Sequence, residues 1–183
     1  SVGGSLVRLE LLSHVDTDDR NRKVFLFDRS AERVYKAQSG LITAQAGVAL
    51  PNHWSPMKRI DGPTTLAGGR NELAVRFESP GEGGVKLAKS YTFTRGSYVI
   101  DVKHEVVNGG GAAVTPQLYL GLERDGNPAR GESKWYFTFT GPALYTDAKK
   151  FEKIDFKDIE KGKTGHATSA SDGWSAMVQH YFA

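Results

Sequence analysis

Apolar and polar residues alternate with a period of two along most of this chain, the period of strands half-buried on one face. In 71–79, NELAVRFES, Leu73, Val75 and Phe77 fall on one face, with Glu72, Ala74, Arg76 and Glu78 on the other. In 85–94, VKLAKSYTFT, Val85, Leu87, Tyr91 and Phe93 share a face against Lys86, Ser90, Thr92 and Thr94. The PGEGG between them is rich in residues that tolerate positive φ, so the two runs predict a hairpin. GSYVIDVKHEVVN, 96–108, continues it, with Asp101, Lys103 and Glu105 on one side and Tyr98, Ile100, Val102, His104 and Val106 on the other. QLYLGLER, 117–124, is expected to turn Leu118, Leu120 and Leu122 inward, and KWYFTFTG, 134–141, is another β-rich run.

Upstream, SLVRLELLSH, KVFLFD and RVYKAQSGL read as short strands. Pro51, Pro56, Pro63 and several glycines mark 43–71 as a long connection holding at most one strand. TDAKKFEKIDFKDIEKG fits a strand followed by one helical turn as well as it fits a helix. The final GWSAMVQHYFA sets Trp174, Ala176, Val178, His180 and Phe182 against Ser175, Met177, Gln179 and Tyr181, and is expected to be a strand buried on both faces. Ten or more short antiparallel strands and little helix predict an all-β sandwich, a single domain over 1–183. No pattern in the chain asks for an oligomer, so a monomer is expected.

At 183 residues, folding buries roughly 70% of the unfolded surface, enough for a real core. Lys and Arg number 24 against 21 Asp and Glu, and the signs alternate, as in FEKIDFKDIEKGK. Nucleic-acid binders concentrate basic residues on one face, so no nucleic-acid partner is expected. There is no cysteine, which removes disulfides, thiolate catalysis and zinc–thiolate sites. No apolar run approaches the roughly 20 residues that span a bilayer. SVGGS at the start is neither basic nor apolar, so the chain is expected to be cytosolic or a piece of something larger.

Candidate chemistry is sparse. His14, His53, His104, His166 and His180 are far apart and fit no metal-binding spacing. His104 lies on the apolar side of its strand, where a satisfied core or cleft histidine is expected ahead of an acid–base role. HVDTDDRN begins like a calcium loop, but Arg20 occupies a ligand position beside Asp16 and Asp18, so a charged surface loop is expected. Asp155 and Asp158 have no evident acid–base partner. No catalytic residue, metal or cofactor is therefore expected, and the chain is not read as an enzyme. Trp54, Trp135 and Trp174 are expected in the core, the alternative being a groove for an extended peptide or lipid-like chain.

Three stretches together resemble one family. They are RVYKAQSGL at 33–41, KSYTFTRGSYVIDVKHEVVN at 89–108, and FTGPALYTDAKKFEKIDFKDI followed by DGWSAMVQHYFA. In this order and spacing the chain resembles, from about Gly3 to Ala183, the large periplasmic domain of the YidC/Oxa/Alb membrane protein insertases. Asp172 stands where the family has the first of two glycines before tryptophan, Ser175 replaces a valine, and 16–23 varies locally.

The resemblance implies a β-super-sandwich similar to galactose mutarotase. It implies a periplasmic domain of a bacterial inner-membrane protein, set between a first transmembrane helix and a five-helix insertase core. It also implies an intact protein that inserts and folds membrane proteins, alone or with the Sec translocon. Expected partners are SecD–SecF, SecYEG and nascent membrane proteins, with an extended peptide in a cleft. The surface chosen for a partner is the polar face of 97–108, Asp101, Lys103 and Glu105. The fold alone also suggests a sugar-binding or aldose-epimerase-like domain, a reading that fold by itself does not carry.

Overall fold

The computed structural model describes residues 1–81, 83–128, 135, 138–163, 165–179 and 182. Among them the order is β1 (Leu9–Val15), β2 (Lys23–Arg29), β3 (Val34–Ile42), β4 (Lys58–Arg59), β5 (Glu72–Glu78), β6 (Val85–Thr94), β7 (Ile100–Asn108), β8 (Gln117–Arg124), β9 (Gly141–Thr146), β10 (Lys150–Lys153), α1 (Phe156–Glu160) and β11 (Trp174–Val178). Three sheets run β1–β2–β3–β8, β4–β5–β6–β7 and β10–β9–β11, and the pairings within the latter two are antiparallel. The all-β antiparallel class expected from alternation is the one observed. The chain gathers into two compact units, Ser1–Leu6 with Ala37–Gly121, and Val7–Lys36 with Leu122–Ala183.

The first unit is built on the β5–β6–β7 meander. Its register places Leu73, Phe93 and Ile100 in one cross-strand row, Val75, Tyr91 and Val102 in the next, and Phe77, Lys89 and His104 in a third. Val85 and Leu87 from the same face are fully buried and join Leu41, Leu50 and Met57 in the core. Residues 43–71 form the long connection that their prolines predict, with only β4 inside it. Residues 1–6 lie as a strap along this unit. Gly3 donates to Ser55 O at 2.8 Å, and Leu6 and Ala37 exchange two backbone bonds of 2.9 Å. Gly3 sits at φ 63°, and a Cβ there would lie 2.2 Å from the His53 carbonyl oxygen, so only glycine fits.

In the second unit β9 is the central strand between β10 and β11, with Ala143 fully buried opposite Ala176 of β11 and the buried Met177 opposite Pro142. GPALYT opens with two turn-type residues, which hid this strand in the sequence. Gly173, at φ 107°, approaches Tyr145 so closely that a Cβ would lie 1.9 Å from its carbonyl oxygen. Asp172 accepts the Asp147 N–H at 2.8 Å and so fastens the β9–β10 turn. After β10 the chain makes a single five-residue helix, the strand-then-turn alternative. Phe27 and Tyr35 pack edge to face with centroids 4.8 Å apart.

Three expectations are corrected. Leu118, Leu120 and Leu122 do not point into the core; they are 49%, 73% and 42% exposed. β8 is the edge of its sheet among the described residues, and no described segment covers the face that carries these leucines. β11 is not buried on both faces, because it too is an edge strand: Trp174 and Ser175 face solvent and Met177 is buried. The tryptophans are not core residues, with Trp54, Trp135 and Trp174 being 73%, 91% and 51% exposed. Trp174 instead stacks on Tyr145, centroids 5.8 Å apart. His180 and Tyr181 of the last run, and Lys134, Tyr136 and Phe137 of KWYFTFTG, lie outside the described residues.

Candidate functional site

The partner surface expected at Asp101, Lys103 and Glu105 lies on the outer face of β7, the edge strand of its sheet. Because the period is two, the outer side chains of β5 and β7 form their own cross-strand rows, Arg76–Ser90–Lys103 and Glu78–Ala88–Glu105. Arg76 bridges them. It pairs with Glu78 at 2.8 Å, reaches Glu105 in a close contact, and donates to Ser90 Oγ at 3.3 Å. Lys103 completes the row with a 3.1 Å bond to Glu105. The hydrogen bonds from Arg76 and then Lys103 hold the Glu105 carboxyl below the usual carboxylate range. Asp101, opposite Thr92, is exposed on the same face but stands apart from this network. The structure therefore brings Lys103 and Glu105 together and adds Arg76 and Glu78. Alternation had placed both residues on the same face of β5, but pairing across strands depends on register, which sequence did not give.

The opposite face carries a polar cluster that the sequence reading passed over. Lys89 is wholly buried between Phe77 and His104. Its ammonium donates to the carbonyls of Gly3 at 2.6 Å and Ser39 at 2.7 Å. Burial lowers its pKa to about 8. Ser39 Oγ and His104 Nε2 lie 2.8 Å apart, and burial, then the Lys89 charge, lowers the His104 pKa. His104 is thus the satisfied cleft histidine that its position predicts. Tyr91 donates to Gly4 O at 2.6 Å, and burial raises its pKa. The signal for Lys89 was available, since it stands at the one charged position in the series Val85, Leu87, Lys89, Tyr91, Phe93.

The remaining candidates take structural parts. Asp16 and Asp19 accept the backbone N–H groups of Asp18 and Asn21 at 2.8 and 3.0 Å, fastening the charged loop. Asp158 accepts from Lys163 at 2.7 Å, and Asp155 precedes α1 without a side-chain cap. The His53 ring lies tilted against Trp54 with centroids 3.7 Å apart, and the His53 backbone N–H donates to Tyr119 Oη at 3.0 Å. His14 meets Phe182 edge on, at 5.9 Å.

A cavity of about 450 Å³ in the second unit is lined by Val24, Leu26, Tyr35, Phe182, Arg33 and Asp125, among others. Its acid is engaged. Asp125 pairs with Arg33 at 3.4 Å and accepts the N–H groups of Val34 at 2.6 Å and Asn127 at 2.9 Å. Burial alone would raise its pKa; these bonds and the charges of Arg33 and Arg124 outweigh burial and lower it. Among the described residues no group of three or more His, Asp or Glu gathers as a metal site. No described helix is long and apolar enough to cross a membrane.

Antiparallel strands, paired surface charges and buried polar groups satisfied by backbone define an all-β domain. Comparison with known proteins places it. A family model of the YidC periplasmic domain matches residues 1–183, and the chain belongs to that family. It is 49% identical over 183 residues to the membrane protein insertase YidC of Janthinobacterium sp. (strain Marseille), covering all of this chain and 31% of that protein. It is 49% identical over 181 residues to the protein of that name from Burkholderia thailandensis, covering 99% of this chain and 32% of the relative. The corresponding protein of Burkholderia mallei (strain SAVP1) is 48% identical over 181 residues. The chain thus spans about a third of the length of these relatives.

Proposed function

We propose that this chain is the periplasmic interaction module of an insertase that inserts and folds inner-membrane proteins, alone or with the Sec translocon. The module itself is non-catalytic. It docks a Sec component, SecD–SecF or SecYEG, and receives segments of nascent membrane proteins. The observation that carries this reading is the exposed polar row on edge strand β7, where Arg76 pairs with Glu105 and Glu105 with Lys103, while Asp101 remains open. Charged groups held across strands give a partner register and specificity more than raw affinity. The names of the relatives favour the insertase reading over the sugar-binding one. The expectation of an extended peptide is supported by Leu118 and Leu120, which leave an apolar stripe uncovered on β8.

The experiment is charge reversal in the intact protein, D101K, K103E and E105K combined, with binding to purified SecD–SecF measured by thermophoresis. Weakening of roughly tenfold or more, with an unchanged melting temperature, is the expected result. Unchanged affinity in a folded variant removes this face from the docking surface.

A further inference from the structure

Lys89 is a fully buried cation with no carboxylate beside it among the described residues. Glu78 and Glu105 point away from the opposite face of the same sheet. The titratable side chains on its own side are Tyr91 on β6 and His104 on β7, with His53 and Tyr119 nearby. None of them is a carboxylate. A buried ammonium so placed costs free energy that two carbonyl bonds offset only in part. Those two carbonyls belong to different segments, Gly3 in the strap and Ser39 in β3, so the cost falls on the join between them.

Other bonds hold the strap beside the latch. Ser1 and Met57 exchange bonds of 3.0 and 2.7 Å, Gly3 donates to Ser55, Leu6 pairs with Ala37, and Tyr91 donates to Gly4. At Gly4 the strap runs over Met57, Phe77 and the Lys89 side chain. Lifting it would uncover these three residues without breaking the β5–β6–β7 ladder.

We propose that residues 1–6 are a releasable strap latched by Lys89, and that protonation of Lys89 loosens the latch. A released lysine side chain sits in water and keeps its proton to higher pH than the docked one. Between pH 7 and 9 the released state therefore binds more protons, and the docked state strengthens as pH rises. The docked lysine titrates near 8 and the ordinary value is 10.5, so that window spans most of the effect accessible without harsh alkali.

The test is amide hydrogen exchange by NMR on the 183-residue chain with its amino terminus acetylated. The reporters are the Gly3, Leu6 and Met57 amides, whose bonds hold the strap. After correction for intrinsic rates, their protection is expected to rise about tenfold from pH 7 to pH 9. The amides of β6 are expected to keep theirs. Lys89→Met should flatten the response, while His104→Gln should leave it intact. If Lys89→Met does not fold, Tyr91→Phe serves. It removes one strap bond but keeps the latch, so protection should fall at every pH with the same tenfold rise. The proposal is overturned if Lys89→Met keeps the rise, if His104→Gln abolishes it, if Tyr91→Phe leaves strap protection unchanged, or if strap amides exchange only together with β6.

Discussion

Asp125 shows how a single carboxylate is kept charged against burial. It accepts from Arg33, Val34 and Asn127, and those bonds together with two arginine charges lower its pKa. A depressed carboxyl contributes stability that is present above its unfolded pKa and lost as pH falls through the folded value. Asp125→Asn should therefore cost about 1–3 kcal/mol near neutral pH. It should also flatten the acid limb of stability, which urea unfolding at pH 7 and at pH 3 to 4 would measure. An unchanged acid limb would show that this carboxylate is not the group that titrates. Sequence carried the residue scale unevenly. The alternation that sets Lys89 on the apolar face was plain, but its acceptors, Gly3 O and Ser39 O, were not, being backbone atoms 86 and 50 positions away. His104 was easier, since a histidine on an apolar face has few alternatives to a polar partner. At the candidate docking site, Lys103 and Glu105 were legible from alternation, but their link to Arg76 was not, because it depends on the β5–β6–β7 register.

Elements were legible where the pattern was strict. The runs 85–94 and 117–124 are strands with those very ends. What period two does not tell is which face is covered. β6 is flanked by β5 and β7, and its apolar face is buried; β8 is an edge, and its leucines are not. Leu87→Ala should accordingly cost about 2–5 kcal/mol by leaving a cavity. Leu120→Ser should change stability by less than about 0.5 kcal/mol. Equilibrium urea unfolding distinguishes the two, and a large loss at Leu120 would mean that the stripe is covered after all. If the stripe receives an apolar segment, Leu120→Ser should weaken crosslinking to a nascent membrane protein without that loss. β9 escaped notice for the opposite reason, since Gly141 and Pro142 are turn residues that a central strand tolerates only at its start.

At the scale of the whole molecule, charge is nearly balanced and mixed, +3 over the chain, and the outer row of β5 and β7 sets two cations against two carboxylates. Such a surface steers a partner by pattern rather than by bulk attraction. Its fluorescence should follow from the same distribution of side chains. All three tryptophans of the chain stand at least half exposed, so the emission of the folded protein is expected to lie already near that of the free indole. Unfolding would then shift its colour little, whereas anything that settles against Trp54, Trp135 or Trp174 would move it to the blue. The chain carries native optical reporters turned outward, silent to its own melting and responsive to its company.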